Sequence, residues 1–441
     1  MLRHRSIADL IPALFLAVGV QAQTSPAPLT LGQAVEQALK NNLQTKLAGE
    51  RTVESRAQKG IGLSALLPNI SGAAYQMNLT ANLAAQGLTA ATFPGIPAFI
   101  GPYSRFDARF QLVQSLFNLE SWRRYQATRY GVSLAEQQRL LAQQQVIATT
   151  DLAYIALLEA GQAVSAAEAN VQLAQRLLDL ATNQRNAGIA TGLDVARAET
   201  RLANQQVQLA QAKTNLDTAR LNLLRVIGSP LGGAVAPAES MRFDPQPVPE
   251  ASETIREALA GRLELHVASE QLRIAEAERK AAVAEWAPSV SAFGDYGSSG
   301  LKPNEVDLPT RSVGIRIDVP VFNGGRTRAE VQAATSRVRQ AEMQLLDFRA
   351  AVEKDARQAL DNLVTREEQM RAAQKSLDLA QRELSLAQDR FQNGVADNIE
   401  VTNAQTALEN ARQTVVSSLA QFNIARLDLF SAVGRAEGFS F

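Results

Sequence analysis

The chain has 441 residues, with 44 Lys plus Arg against 44 Asp plus Glu, so its formal charge is zero and no basic excess drives nucleic-acid binding. It has no cysteine and two histidines, His4 and His266. That excludes disulfides, zinc–thiolate and iron–sulfur centres, thiol nucleophiles and a lipid on an N-terminal cysteine. It leaves almost nothing from which to build a Ser–His–Asp triad or a multi-histidine metal site, and no phosphate loop is present, so neither enzyme nor cofactor is expected.

Residues 1–22 read as a secretory signal: a basic start at Arg3, His4 and Arg5, a mostly apolar run from Ile11 to Val20, and small residues around Ala22. After it no run reaches the roughly 18 apolar residues of a spanning helix. The exported chain is therefore soluble or a β-barrel.

The sixteen prolines are clustered. Residues 29–67, 103–229, 250–287 and 321–441 have none, which leaves room for long helices. In chain order the pattern predicts a short helical stretch, then a strand at 70–80 in which Ala73, Tyr75, Met77 and Leu79 alternate with Gly72, Ala74, Gln76 and Asn78. A turn-rich loop leads to a second strand at 104–116, where Phe106, Ala108, Phe110 and Leu112 alternate with Asp107, Arg109 and Gln111. A helix from about Asn118 to Asn186 follows, with alanines seven apart at 153, 160, 167, 174 and 181. Its tip, near 186–192, places Asn186 and Gly188 where a helix ends left-handed, and Thr191 or Asp194 where the next can be capped. Val195, Leu202, Leu209, Leu216 and Leu223 then run as a heptad row.

Residues 229–250 form a proline-rich linker, after which the order repeats. A short helical stretch precedes strands at 289–297 and 311–320. The first of these is the weaker, because Phe293 breaks its alternation; the second sets Val313, Ile315, Ile317 and Val319 against Ser312, Gly314, Arg316 and Asp318. A second long hairpin has its tip near 392–398, with Val401, Leu408, Val415, Phe422 and Leu429 as its heptad row. Residues 173–228 align without gaps on 379–434 at an offset of 206, with identities that include Gly188/Gly394, Asn204/Asn410 and Gly228/Gly434. The chain is a tandem duplication: repeat one at 23–228, repeat two at 251–434, and a tail at 435–441. The predicted fold class is mainly α with a small antiparallel β part.

Four strands have open edges and cannot close a barrel, so a membrane location requires several copies to share one: eight strands from two chains, twelve from three. The alternatives are a small soluble sheet packed on helices and a secreted coiled-coil protein that never enters a membrane. The aromatics Tyr75, Tyr103, Phe106 and Tyr296 favour the barrel, since such side chains suit a membrane interface.

Several features together carry a family resemblance. They are the segment from Leu29 to Asn42, Leu67-Pro68 and Ala287-Pro288 before strands, Leu116-Phe117-Asn118 and Val321-Phe322-Asn323-Gly324-Gly325 after strands, and the two tips. Over about 29–434 the chain resembles the TolC-type outer-membrane efflux proteins. The resemblance implies a homotrimer with a twelve-stranded outer-membrane barrel above a twelve-helix periplasmic α-barrel. It also implies a smaller equatorial region, including the linker and the residues after Gly434, and docking to a periplasmic adaptor and an inner-membrane pump. It places an aperture at Asp194 and Glu400, with Asn403 where a second acid can sit. It makes Gly188, Thr191, Gly192, Gly394, Val395 and Asp397 the adaptor-contacting tips. On structural grounds alone, Asp194 and Glu400 are equally first-turn acids favoured by the helix dipole. Whether the cargo is a small molecule or a secreted protein is left open.

Overall fold

The structure, a computed structural model, describes residues 28–303, 308–393, 395 and 398–441. The signal segment expected at 1–22 lies outside the described residues. In chain order the elements are β1 (Pro28–Leu29), α1 (Leu31–Asn41), α2 (Leu43–Ser64), β2 (Asn69–Asn82), β3 (Phe99–Phe117), α3 (Leu119–Asn186), α4 (Gly192–Val226), β4 (Ala236–Pro237), α5 (Ala251–Gly261), α6 (Leu263–Ala284), β5 (Ser289–Gly300), β6 (Leu308–Asp318), α7 (Arg326–Gln392) and α8 (Asn398–Ala432).

The long helices start and stop on local chemistry. Asn118 caps α3 by accepting from the Ser121 N–H at 2.9 Å. The helix then runs for 68 residues, on the order of 100 Å, and α7 runs for 67. Each pairs antiparallel with the shorter helix that follows it. The α8 heptad residues Val401, Leu408 and Phe422 are buried, whereas Leu202, Leu209 and Leu216 on α4 are half-buried. Helix α8 packs against both α7 and α3, so two neighbours cover it.

Each stretch expected as one short helix is two. Asn42 adopts extended backbone (ψ 136°) between α1 and α2. Its side chain both caps α2 through the Gln44 N–H at 2.8 Å and donates to the Val226 carbonyl at 2.7 Å. Arg262 breaks α5 from α6 in the same way (ψ 118°). The duplicated glycines seat the ends of α4 and α8 on these breaks. Gly228 (φ +68°) has Asn41 where a Cβ would stand, 2.8 Å away, and Gly434 (φ +78°) has the Gly261 carbonyl oxygen at 2.5 Å. Both the left-handed backbone and the lack of space demand glycine.

The sheet has the order β2-β3-β5-β6, antiparallel throughout, with β2 and β6 as its edges. The β3–β5 pair joins the two repeats without a hairpin: Phe106 opposes Gly300 and Phe110 opposes Tyr296. Cross-strand partners share a face. One face carries Ile70, Phe110, Leu112, Tyr296, Val313, Ile315 and Ile317, all exposed. The other carries Arg105, Asp107, Arg109, Asp295, Ser312 and Arg316. Tyr75 and Met77 fall on this polar face, opposite Asp107 and Arg105. Phe293 falls there too, opposite Gly314 and under the Arg316 guanidinium at 5.5 Å to the ring centre. The alternation fails at Phe293 because the glycine opposite makes room for the ring.

A waist gathers the rest. β1 pairs parallel with β4 of the inter-repeat segment. Tyr154 on α3, wholly buried, donates its hydroxyl to the Leu29 carbonyl at 2.8 Å. Leu29, Leu31, Ala34, Leu223, Ile227, Met241 and Phe439 pack around it, with Phe441 against the Tyr154 ring at 5.9 Å. This apolar knot ties the segment around Leu29, the C-terminal residues and both hairpins together.

Candidate functional site at the helical tips

At the first tip α3 ends with the Gly188 N–H on the Arg185 carbonyl (3.0 Å) and the Ile189 N–H on the Gln184 carbonyl (2.9 Å). Thr191 then starts α4 with a reciprocal cap. Its hydroxyl accepts from the Asp194 N–H at 3.4 Å, and the Asp194 carboxylate accepts from the Thr191 N–H at 2.9 Å and from its hydroxyl at 2.7 Å. Asp194 is thus held by its own turn, with Arg197 3.9 Å away. Gly188, Thr191 and Gly192 are exposed beside the exposed Ile189 and Leu193.

At the second tip Val395 is exposed and its N–H closes the turn on the Arg390 carbonyl at 2.9 Å. Gly394 and Asp397 lie outside the described residues. Glu400, in the first turn of α8, is half-exposed and paired across the hairpin with Arg390 at 3.1 Å. Asn403 is exposed, one turn further along, in a groove shared with Leu193, Ala196 and Ile399. The two hairpins therefore treat their acids differently. Asp194 caps its helix at 18% exposure with Arg197 beside it, whereas Glu400 is 43% exposed and paired with Arg390.

Above the tips the hairpins meet through a polar seam. Arg201 on α4 is ion-paired to Glu409 on α8 and bonds Thr406 at 3.0 Å. Gln205 donates to the same Glu409 carboxylate at 3.0 Å, and Arg412 donates to Asn170 on α3 at 2.6 Å. Arg201, Gln205, Thr406, Glu409 and Asn170 border a cavity of about 450 Å³ also lined by Ala163, Ala167, Gln208 and Asn410. Burial raises the Glu409 pKa, although Arg201 and the amides pull the other way. None of the sequence expectations includes this seam. Its signal lies in departures from the repeat: Ala407 stands at the Arg201 equivalent and Ala203 at the Glu409 equivalent.

Rods of about 100 Å and a four-stranded sheet with one exposed apolar face fit a class: channel proteins whose sheet meets a membrane while their helices stand in water. Among the described residues no cluster of acids and histidines could hold a metal, and no helix is long and apolar enough to span a membrane. The outer membrane efflux protein profile matches residues 34–229 and 254–435. The chain belongs to that family, a family of outer-membrane channel proteins. It is 25% identical to outer membrane protein TolC of Escherichia coli (strain K12), covering 74% of this chain and 69% of the relative. It is 27% identical to the alkaline protease secretion protein AprF of Pseudomonas aeruginosa, covering 85% and 78%. The fold superposes on the CmeC outer membrane channel of Campylobacter jejuni with a TM-score of 0.80, at 20% identity and covering 99% and 94%. The protein is accordingly an efflux channel of the outer membrane, extending into the periplasm.

Proposed function

We propose that three copies of this chain complete one conduit, a twelve-stranded barrel over a twelve-helix tube, which receives cargo from an inner-membrane pump through a periplasmic adaptor. The observation that carries this is the sheet. It has two unpaired edges and one exposed apolar face, so a lipid setting would strand its edge N–H and C=O groups at several kcal/mol each. Neighbouring copies remove that cost by pairing β6 of one with β2 of the next. The helices support the same closure. Leu193, Val207 and Leu221 lie fourteen apart on α4 and are exposed, as are Leu379 and Leu386, seven apart on α7. In the closed ring these apolar residues of one copy would meet those of its neighbours.

The tips are the adaptor-docking surface in this reading, with Gly188, Thr191, Gly192, Gly394, Val395 and Asp397 as its contacts. Glu400 supplies the aperture charge. Asp194 and Asn403 are neighbours of that ring, Asp194 being held in its cap. The partner pump chooses the cargo, and kinship with a protein named for protease secretion leaves room for either small molecules or protein. The test is outer-membrane fractionation, mass determination in detergent, and conductance in planar bilayers. A heat-modifiable assembly of three chains that conducts ions is the expected outcome. A stable monomer in detergent-free buffer would refute the proposal.

A further inference from the structure

The polar face of the sheet carries charges whose exposure is unequal. Asp107, mid-way along β3, is 1% exposed, and Asp295 on β5 is 17% exposed. The arginines that cover them are more open: Arg109 at 23% and Arg105 at 50%. Arg109 holds both carboxylates, with Asp107 at 2.5 Å and Asp295 at 3.0 Å, while Ser312 on β6 donates to Asp295. Arg105 lies 3.6 Å from Asp107 and extends past it into the open. The four charges cancel in sum but not in position: carboxylates lie against the wall, guanidinium faces outward. At separations within a Debye length, about 8 Å, a solute feels the nearer layer. Arg316 and Asp318 are both exposed on this face toward the other end of the sheet and offset each other.

From this placement we infer that the barrel lumen carries a guanidinium girdle at the level of Arg105 and Arg109 that takes up multiply anionic solutes, phosphate- or carboxylate-bearing, as they leave. The inference rests on the channel reading above, in which the apolar face meets lipid and the polar face lines the pore. Three copies would bring three Arg105 side chains to one height. Guanidinium binds phosphate and carboxylate oxygens through paired N–H donors. Half-exposed and already leaning on Asp107, Arg105 would hold an anion weakly, as passage requires.

The test uses the assembled full-length protein in planar bilayers, with inorganic triphosphate added on the barrel side. Wild-type current should fall as triphosphate rises. Arg105→Gln should raise the half-blocking concentration about tenfold, whereas Arg105→Lys should keep most of the block. An unblocked wild-type pore, or equal block in Arg105→Gln, overturns the inference while leaving the channel reading intact. Failure to form any conducting pore overturns both. If Arg105→Gln does not insert, ionic strength decides with wild type alone. Block that weakens as salt rises upholds the girdle, and block indifferent to salt refutes it.

Discussion

Asp151 is a carboxyl with nowhere to go. It is buried on α3 beside the waist, and its Oδ1 meets no hydrogen-bond partner among the described residues. Burial pushes its pKa from 3.8 up to about 7. Below the lower value the group is neutral whether the chain is folded or not. Between the two, the unfolded chain loses the proton that the folded chain keeps, so stability falls as pH rises through this window. Asp151→Asn should therefore gain up to about 4 kcal/mol per chain at pH 8 and little near pH 4. Thermal unfolding at the two pH values checks this, and an equal gain at both would contradict it. Glu400 poses the opposite case, an acid at the surface with an Arg390 partner. If it supplies the aperture charge, Glu400→Gln should lower cation selectivity in single-channel recordings. Unchanged selectivity would mean that it serves only the first turn of α8.

At the scale of the element, the ends of α4 and α8 depend on glycine for a reason the alignment of repeats could not state. That Gly228 and Gly434 are equivalent was legible; what they touch was not, because the helix breaks at Asn42 and Arg262 were read as continuous helix. Asn42 is neither proline nor glycine, so the first break lacks the usual breaker signal, whereas the second has Gly261 directly before Arg262. Gly434→Val would drive a branched side chain into the Gly261 carbonyl on a backbone at φ +78°. The expected cost is about 2–4 kcal/mol, read as a lowered unfolding midpoint. The strand ends also moved: β3 begins at Phe99, not 104, and β6 ends at Asp318, not 320. Pairing carries β3 back as far as its neighbour offers partners, as Ile100 does for Ala81, while β6 stops at Asp318 because its partner Ser289 is the first residue of β5. The polar seam between hairpins was missed on similar grounds. Arg201 and Glu409 sit among many charged residues, and only folding shows that these two meet.

For the whole molecule, the question is which apolar surface belongs inside the chain and which between copies. Phe422 and Leu223 are buried within the single chain. Val207 on α4, 64% exposed, has the same apolar character without a partner inside the chain's core clusters. Val207→Asp should leave the fold of the chain intact by circular dichroism and reduce the yield of assembled oligomer on native gels. Loss of helical signal would place Val207 in the chain's own core instead. Phe422→Ala should do the reverse, costing about 3–5 kcal/mol in the chain itself.

The linear sequence by itself determined the periodicities: heptad rows, alternating strands, proline-free spans and the duplication. The rows and the alternation follow from repeats of 3.5 and 2 residues, and the other two can be read off the chain by comparison and composition alone. These were enough for the fold class; the family came from a resemblance carried by the motifs that flank the strands and form the tips. Only the tertiary structure decided which faces meet. It turned Tyr75 and Met77 toward the charged side of the sheet and joined Arg201 to Glu409. Those are contacts between residues far apart in the chain, or choices between two equal faces. Local pattern carries no information about either until the neighbouring element is in place.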